Sequence, residues 1–153
     1  VSEPLSYQLL EAIQQRLQII EQPSFRSDLG ADVRIEGYAL EELAGEISLR
    51  AYVYTNDLSR DIQSSGPRTK KDTTTVIVDC IVPGPPTEAQ RSAHRVLADV
   101  ALALGTGSRE WLPQGVSAFE IQGQEIESRP ASLRLIIVRL TLTALLTESL
   151  TPP

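Results

Sequence analysis

The sequence predicts an α+β domain: a single-layer mixed or antiparallel sheet with two amphipathic helices packed on it and a long polar loop. Three observations carry this. Apolar residues recur at helical spacing in two segments, one near the N-terminus and one after Pro83-Gly84-Pro85-Pro86. β-Branched and alternating runs elsewhere have strand character, and a polar stretch bearing Gly66-Pro67 separates two of them. The 153 residues, 41% hydrophobic and 22% charged, match one domain that buries a core without disulfides or a structural metal, so 1–153 is taken as a single domain.

The first helix is expected from about Pro4 to Glu21, because Leu9, Ile13, Leu17 and Ile20 share one face and Leu10 widens it. Ser2 has N-cap chemistry, and Pro23 ends the helix by removing a donor and restricting Gln22. A short strand follows over 33–37. A stronger one spans Glu46 to Tyr54, with Ile47, Leu49, Ala51 and Val53 on one side and Arg50, Tyr52 and Tyr54 on the other. Thr55 to Asp72 is expected to be a flexible loop.

Thr73 to Val82 is the clearest strand, and its near-continuous apolar end marks it as central. Thr87 and Gln90 have capping-box spacing ahead of a second helix, whose face carries Ala89, Ala93, Val96, Leu97, Val100 and Leu104 before Gly105 ends it. Two final strands, Val116 to Ile126 and Leu133 to Leu145, are expected to pair through a turn around Ser128-Arg129-Pro130-Ala131. Apolar residues switch parity near Ile137, which predicts a bulge or burial of both faces, and a polar parity switch predicts a bulge at Gly123.

Chemistry-bearing constellations are sparse. The formal net charge of −6 opposes a diffuse phosphate-binding surface, so no sequence-specific nucleic-acid partner is expected. One cysteine, Cys80, excludes an intramolecular disulfide, and with one histidine, His94, it cannot build a thiolate- or histidine-rich zinc site. His94 has Gln90, Arg91, Leu97 and Ala98 at helical spacing, so no carboxylate one turn away orients it as a base. Cys80 follows Val76-Ile77-Val78-Asp79 and reads as a buried small hydrophobe. Glu120, Glu125 and Glu127 read as exposed strand positions, and Gly105-Thr106-Gly107 follows a helix instead of opening one. No catalytic residue, metal or cofactor is expected.

The longest apolar candidate, Leu133 to Leu146, is broken by Arg134, Arg139, Thr141 and Thr143, short of the roughly 20 apolar residues a membrane helix needs. Val1-Ser2-Glu3-Pro4 lacks a signal-like pattern, so a soluble intracellular chain with no membrane partner is expected. Two features fit partner contact: the loop cations Arg60, Arg68, Lys70 and Lys71, interleaved with Asp57, Asp61 and Asp72, and Trp111 as an interface anchor or a cap on the core.

The element order, with local anchors Leu9-Leu10-Glu11-Ala12-Ile13, Val96-Leu97-Ala98-Asp99-Val100-Ala101-Leu102 and Leu133-Arg134-Leu135-Ile136-Ile137-Val138, resembles the tail-terminator proteins of long-tailed bacteriophages over nearly the whole chain. The resemblance implies a non-enzymatic virion protein that forms a homo-oligomeric ring, commonly hexameric, at the head-proximal end of the tail tube. There it ends tube growth and presents a surface for head joining. Its implied partners are the tail tube protein and a head-completion or connector protein, with assembly in the host cytoplasm. A head-to-tail connector or other neck protein is the alternative, and a small-molecule-binding α+β domain with a pocket between helix and sheet is the third possibility.

Overall fold

The computed structural model describes residues 3–43, 48–60, 65–66, 68–128 and 134–149. Helix α1 (Leu5–Leu17) buries Leu5, Leu9, Leu10, Ile13 and Leu17. It ends at Leu17 and not at the expected Glu21, because a 3-10 turn at Leu29–Ala31 docks on the following residues. There the Gly30 N–H donates to the Ile20 carbonyl at 2.9 Å, and a Cβ on Gly30 would lie 2.5 Å from the Gln18 carbonyl oxygen. Ile20 is nonetheless fully buried. Ser2, the expected N-cap, lies outside the described residues; Pro4 holds the cap position without a side-chain bond. The Leu5 N–H instead donates across the fold to Glu148 Oε1 at 2.7 Å, a carboxylate placed at the positive end of the helix.

Strands β1 (Val33–Arg34), β2 (Arg50–Arg60), β3 (Thr69–Pro83), β4 (Val116–Ser128) and β5 (Leu135–Ser149) form one sheet in the order β1-β2-β3-β5-β4. The β1–β2 pair is parallel and the others antiparallel, so the sheet is mixed. The first strand is shorter than expected, and β2 begins at Arg50, with 46–47 outside the described residues.

The expected loop over 55–72 is largely sheet. Residues 55–60 continue β2 and 69–72 begin β3, paired from Thr55↔Val76 to Arg60↔Asp72 across a bulge between Thr55 and Asp57. Polar residues suit the strand over 55–60 because all six are exposed and, among the described residues, β2 is paired there on one side only. The connection shrinks to 61–68, of which 61–64 and 67 lie outside the described residues.

Helix α2 (Pro86–Gly105) buries Ala89, Ala93, Val96, Val100 and Leu104 as the spacing predicts. It begins before Thr87, with Pro85 at the N-cap and no side-chain cap bond, so the Thr87/Gln90 box is not used. Proline in the first turn needs no donor there. Gly107, at φ 61, then turns the chain into a short helix α3 (Ser108–Trp111).

Both long helices cover one face of the sheet. Val76, Val78, Cys80 and Val82 of β3 meet them, together with Val138, Leu140 and Leu142 of β5. The other face holds a smaller cluster of Leu43, Tyr52, Ile81, Leu135 and Ile137, with Tyr38 and Tyr54 against it. Leu135 to Val138 are therefore buried on both faces, which accounts for the parity switch; β3 and β5 pair from Thr69↔Ser149 to Pro83↔Leu135 in continuous register. Strand β4 shifts register between Ile121 and Gly123, as the parity there predicts, and again between Ser117 and Glu120, where Ala118 has φ 52. The turn expected at 128–131 lies outside the described residues beyond Ser128.

Candidate assembly surface

Among the described residues the sheet has two open edges. β1 pairs only with Ala51 and Tyr52, so from Val53 to Arg60 the outer side of β2 meets no described strand. At the far edge, β4 pairs with β5 alone. Each step from β2 through β3 and β5 to β4 is antiparallel, so the two edges run in opposite directions. Open edges present unpaired backbone groups and are templates for pairing with another chain.

At the far end of the β2–β3 ribbon the four expected contact cations come together. Arg60 closes β2 opposite Asp72, Arg68 is exposed in the turn, and Lys70 and Lys71 open β3. Lys70 Nζ lies 3.1 Å from Asp72 Oδ2, while the buried Asp72 Oδ1 has no hydrogen-bond partner among the described residues. The Lys71 N–H donates to Ser65 Oγ at 3.1 Å.

A groove of about 620 Å³ opens beside the start of β4, lined by α3, the 112–115 segment and Val116 to Phe119. Trp111 stands behind it, half-buried. Its ring meets Phe119 edge-on at 5.3 Å, its Nε1 donates to the Thr106 carbonyl at 3.2 Å, and the Arg16 guanidinium lies 6.0 Å from the ring centre. Trp111 thus caps the core edge and supports the groove wall. Two further clefts lie near the α1 N-terminus and between the 22–31 segment and α2, the latter about 420 Å³.

The face opposite the helices holds a charged cluster that sequence reasoning missed. Asp79, fully buried in β3, accepts bonds from Arg139 Nε at 2.8 Å and Nη2 at 2.9 Å, from Tyr38 Oη at 2.9 Å and from Tyr54 Oη at 2.8 Å. Burial pushes the Tyr54 hydroxyl up to about 12 and the Asp79 bond adds to it; Tyr38 moves the same way for the same reasons. Hydrogen bonds to Asp79 hold the Arg139 guanidinium charged against the opposing effect of burial. Tyr38 also stacks on Tyr52, with ring centres 4.6 Å apart. These contacts pin the segment carrying Tyr38 and Leu43 to the sheet. The signal was an aspartate inside Val76-Ile77-Val78-Asp79-Cys80-Ile81-Val82, a charge that such a strand buries only with partners.

Other singled-out residues are dispersed. His94 is exposed on α2, its Nε2 3.3 Å from Gln90 Nε2. Cys80 is buried, and desolvation raises its thiol far above the ordinary range. Glu120 and Glu125 are exposed on β4. Among the described residues no group of three His, Cys, Asp or Glu side chains is placed to hold a metal, and no helix is long and apolar enough to cross a membrane.

No protein-family model matches the chain, and no curated protein matches it in sequence. Its fold is similar to that of a chain from the "Virion of native gene transfer agent (GTA) particle", with a TM-score of 0.65 at 15% identity over 96% of this chain and 100% of that one. A second likeness is to a chain from an "Extracellular Contractile Injection System, PVC sheath/tube terminator in extended state". There the TM-score is 0.52 at 14% identity, covering 99% of this chain and 59% of the other. Both likenesses are of fold.

Proposed function

We propose that this protein is a non-enzymatic structural component of a virion tail, forming a homo-oligomeric ring at the head-proximal end of the tail tube. The ring ends tube growth and offers the surface for joining the head, with assembly in the host cytoplasm. The observation that carries this is the pair of open, oppositely directed edges on one sheet. A head-to-tail contact between them continues the antiparallel pairing and closes by rotation. The likeness to a virion chain and to a sheath/tube terminator supports the same setting. A hexamer is the expected closure. The basic end of the β2–β3 ribbon, with exposed Arg60 and Arg68 and half-buried Lys70 and Lys71, is assigned to the tube or the head-side partner, because cations at the surface of an acidic chain steer it toward an acidic surface.

The test is the mass of the purified protein by light scattering across a concentration series, followed by electron imaging. Closed rings that cap added tail tubes are expected, whereas a chain that remains monomeric at every concentration, with and without tubes, refutes the proposal. Replacing the four cations by glutamine should leave ring mass unchanged and abolish capping; capping that survives removes the ribbon end from the contact.

A further inference from the structure

We propose that neighbouring copies of this chain join by seating Leu58 of one copy in the groove beside Ala118 and Phe119 of the next. This rests on the ring proposed above and names its contact. Leu58 lies on the open edge of β2 and is 46% exposed, an apolar side chain with no cover on a strand that is otherwise polar from Thr55 to Arg60. Its cross-strand partner is Thr74, which is buried on the helix-covered side of the sheet together with Val76, so Leu58 stands on that same side. The groove is on that side too, since Trp111, Leu112, Val116 and Phe119 all pack against the helix-side core.

The register sets knob and groove at one level. Leu58 pairs with Thr74, Thr74 with Ala144, and Ala144 lies between Thr143, the partner of Glu120, and Leu145, the partner of Ser117. The level of Leu58 therefore crosses the sheet and emerges at the bulge that holds Ala118 and Phe119. A ring whose axis runs along the strands brings neighbours together at equal level, with β2 antiparallel to the next copy's β4. The bulge interrupts ladder pairing on β4 and leaves space where a regular strand would have none; Leu58 fills it. The edge strands also differ in charge: β2 from Thr55 to Arg60 holds Arg60 against Asp57, while β4 holds Glu120, Glu125 and Glu127 with no cation. Pairing two β4 edges would set carboxylates against carboxylates, whereas β4 against the balanced β2 edge does not, which favours head-to-tail contact over like-to-like.

The contact is tested with the double variant Leu58→Cys/Ala118→Cys under mild oxidation, where the fully buried Cys80 does not compete. A head-to-tail seat gives a ladder of covalently linked multimers on denaturing gels, and neither single variant gives linked species. A covalent dimer from Leu58→Cys alone means a like-to-like contact and overturns the proposal. Leu58→Asp should raise the concentration at which rings form by at least about tenfold, the loss expected for one buried leucine, and leave the thermal midpoint of the dilute monomer in place. Rings that form without the ladder and persist unchanged in Leu58→Asp overturn the seat and leave the ring standing. A chain that never assembles overturns both.

Discussion

Replacing Arg139 by methionine tests the account of the sheet's second face. Asp79 is fully buried, and Arg139 supplies two of the four hydrogen bonds to its carboxylate, at 2.8 and 2.9 Å. Arg139→Met leaves a buried charge with only the two tyrosine hydroxyls, a change that costs about 3–5 kcal/mol when one partner of a buried pair is lost. The Arg139 side chain is 33% exposed, which lets water reach the vacated side and favours the lower end, about 3 kcal/mol. For a domain of this size each kcal/mol moves the thermal midpoint by about 2–4 °C, so a fall of about 6–12 °C is expected. The double variant Asp79→Leu/Arg139→Met removes both charges. It should recover much of that loss, less about 1 kcal/mol for each tyrosine bond. Circular-dichroism melts at low protein concentration, where assembly does not raise the midpoint, give all three values. A single variant within about 2 °C of the parent, or a double variant less stable than Arg139→Met, would refute the reasoning.

Two further outcomes follow from other contacts. The raised Tyr54 hydroxyl stabilises the fold fully below the ordinary tyrosine range near 10, and this contribution is lost as the pH rises from there toward about 12. Tyr54→Phe should therefore flatten the fall in midpoint across that window, leaving a residual slope from Tyr38; an unchanged slope counts against the Asp79 cluster. At the start of α1, Glu148→Ala should cost about 0.5–2 kcal/mol by freeing the Leu5 N–H, whereas Glu148→Gln keeps an acceptor and loses only the charge on the helix dipole, about 0.3–1 kcal/mol. Urea midpoints in the order parent, glutamine, alanine are expected, and the reverse order for the two variants would discard the Glu148 cap on α1.

Periodicity was legible wherever one face was buried. The stripe of Leu9, Ile13, Leu17 and Ile20 and that of Ala89, Ala93, Val96, Val100 and Leu104 both face the core, because burial on one side imposes a repeat that sequence displays. Residues 55–60 failed for the converse reason. Edge strands owe their form to pairing with a neighbour rather than to burial, so Asn56, Asp57 and Ser59 look like loop. The caps were missed because they are not local: Glu148 is far along the chain from Leu5, and no spacing rule reaches it. Asp79 carried a visible signal as a charge in an apolar strand, but its partners Arg139, Tyr38 and Tyr54 come from three other segments.

The same distinction explains why the fold is recognisable at 15% identity while no sequence comparison finds a match. The central strands need apolar residues at every position of Leu135 to Val138 and at alternate positions beyond, a demand on volume and parity that many side chains satisfy. Such a core constrains pattern far more than identity. The edges are bound differently: in the proposed ring the β4 bulge at Ala118, the exposed Leu58 and the basic end of the β2–β3 ribbon would answer to a partner's shape and charge, and so would be free to differ wherever the partner differs. Identity between this chain and others of its fold should therefore rest on the helix-side core, and the specificity of assembly on the two edges. Exchanging the β2 edge together with the β4 groove between two such proteins should carry assembly preference with it, while exchanging helix-side core residues should change stability alone.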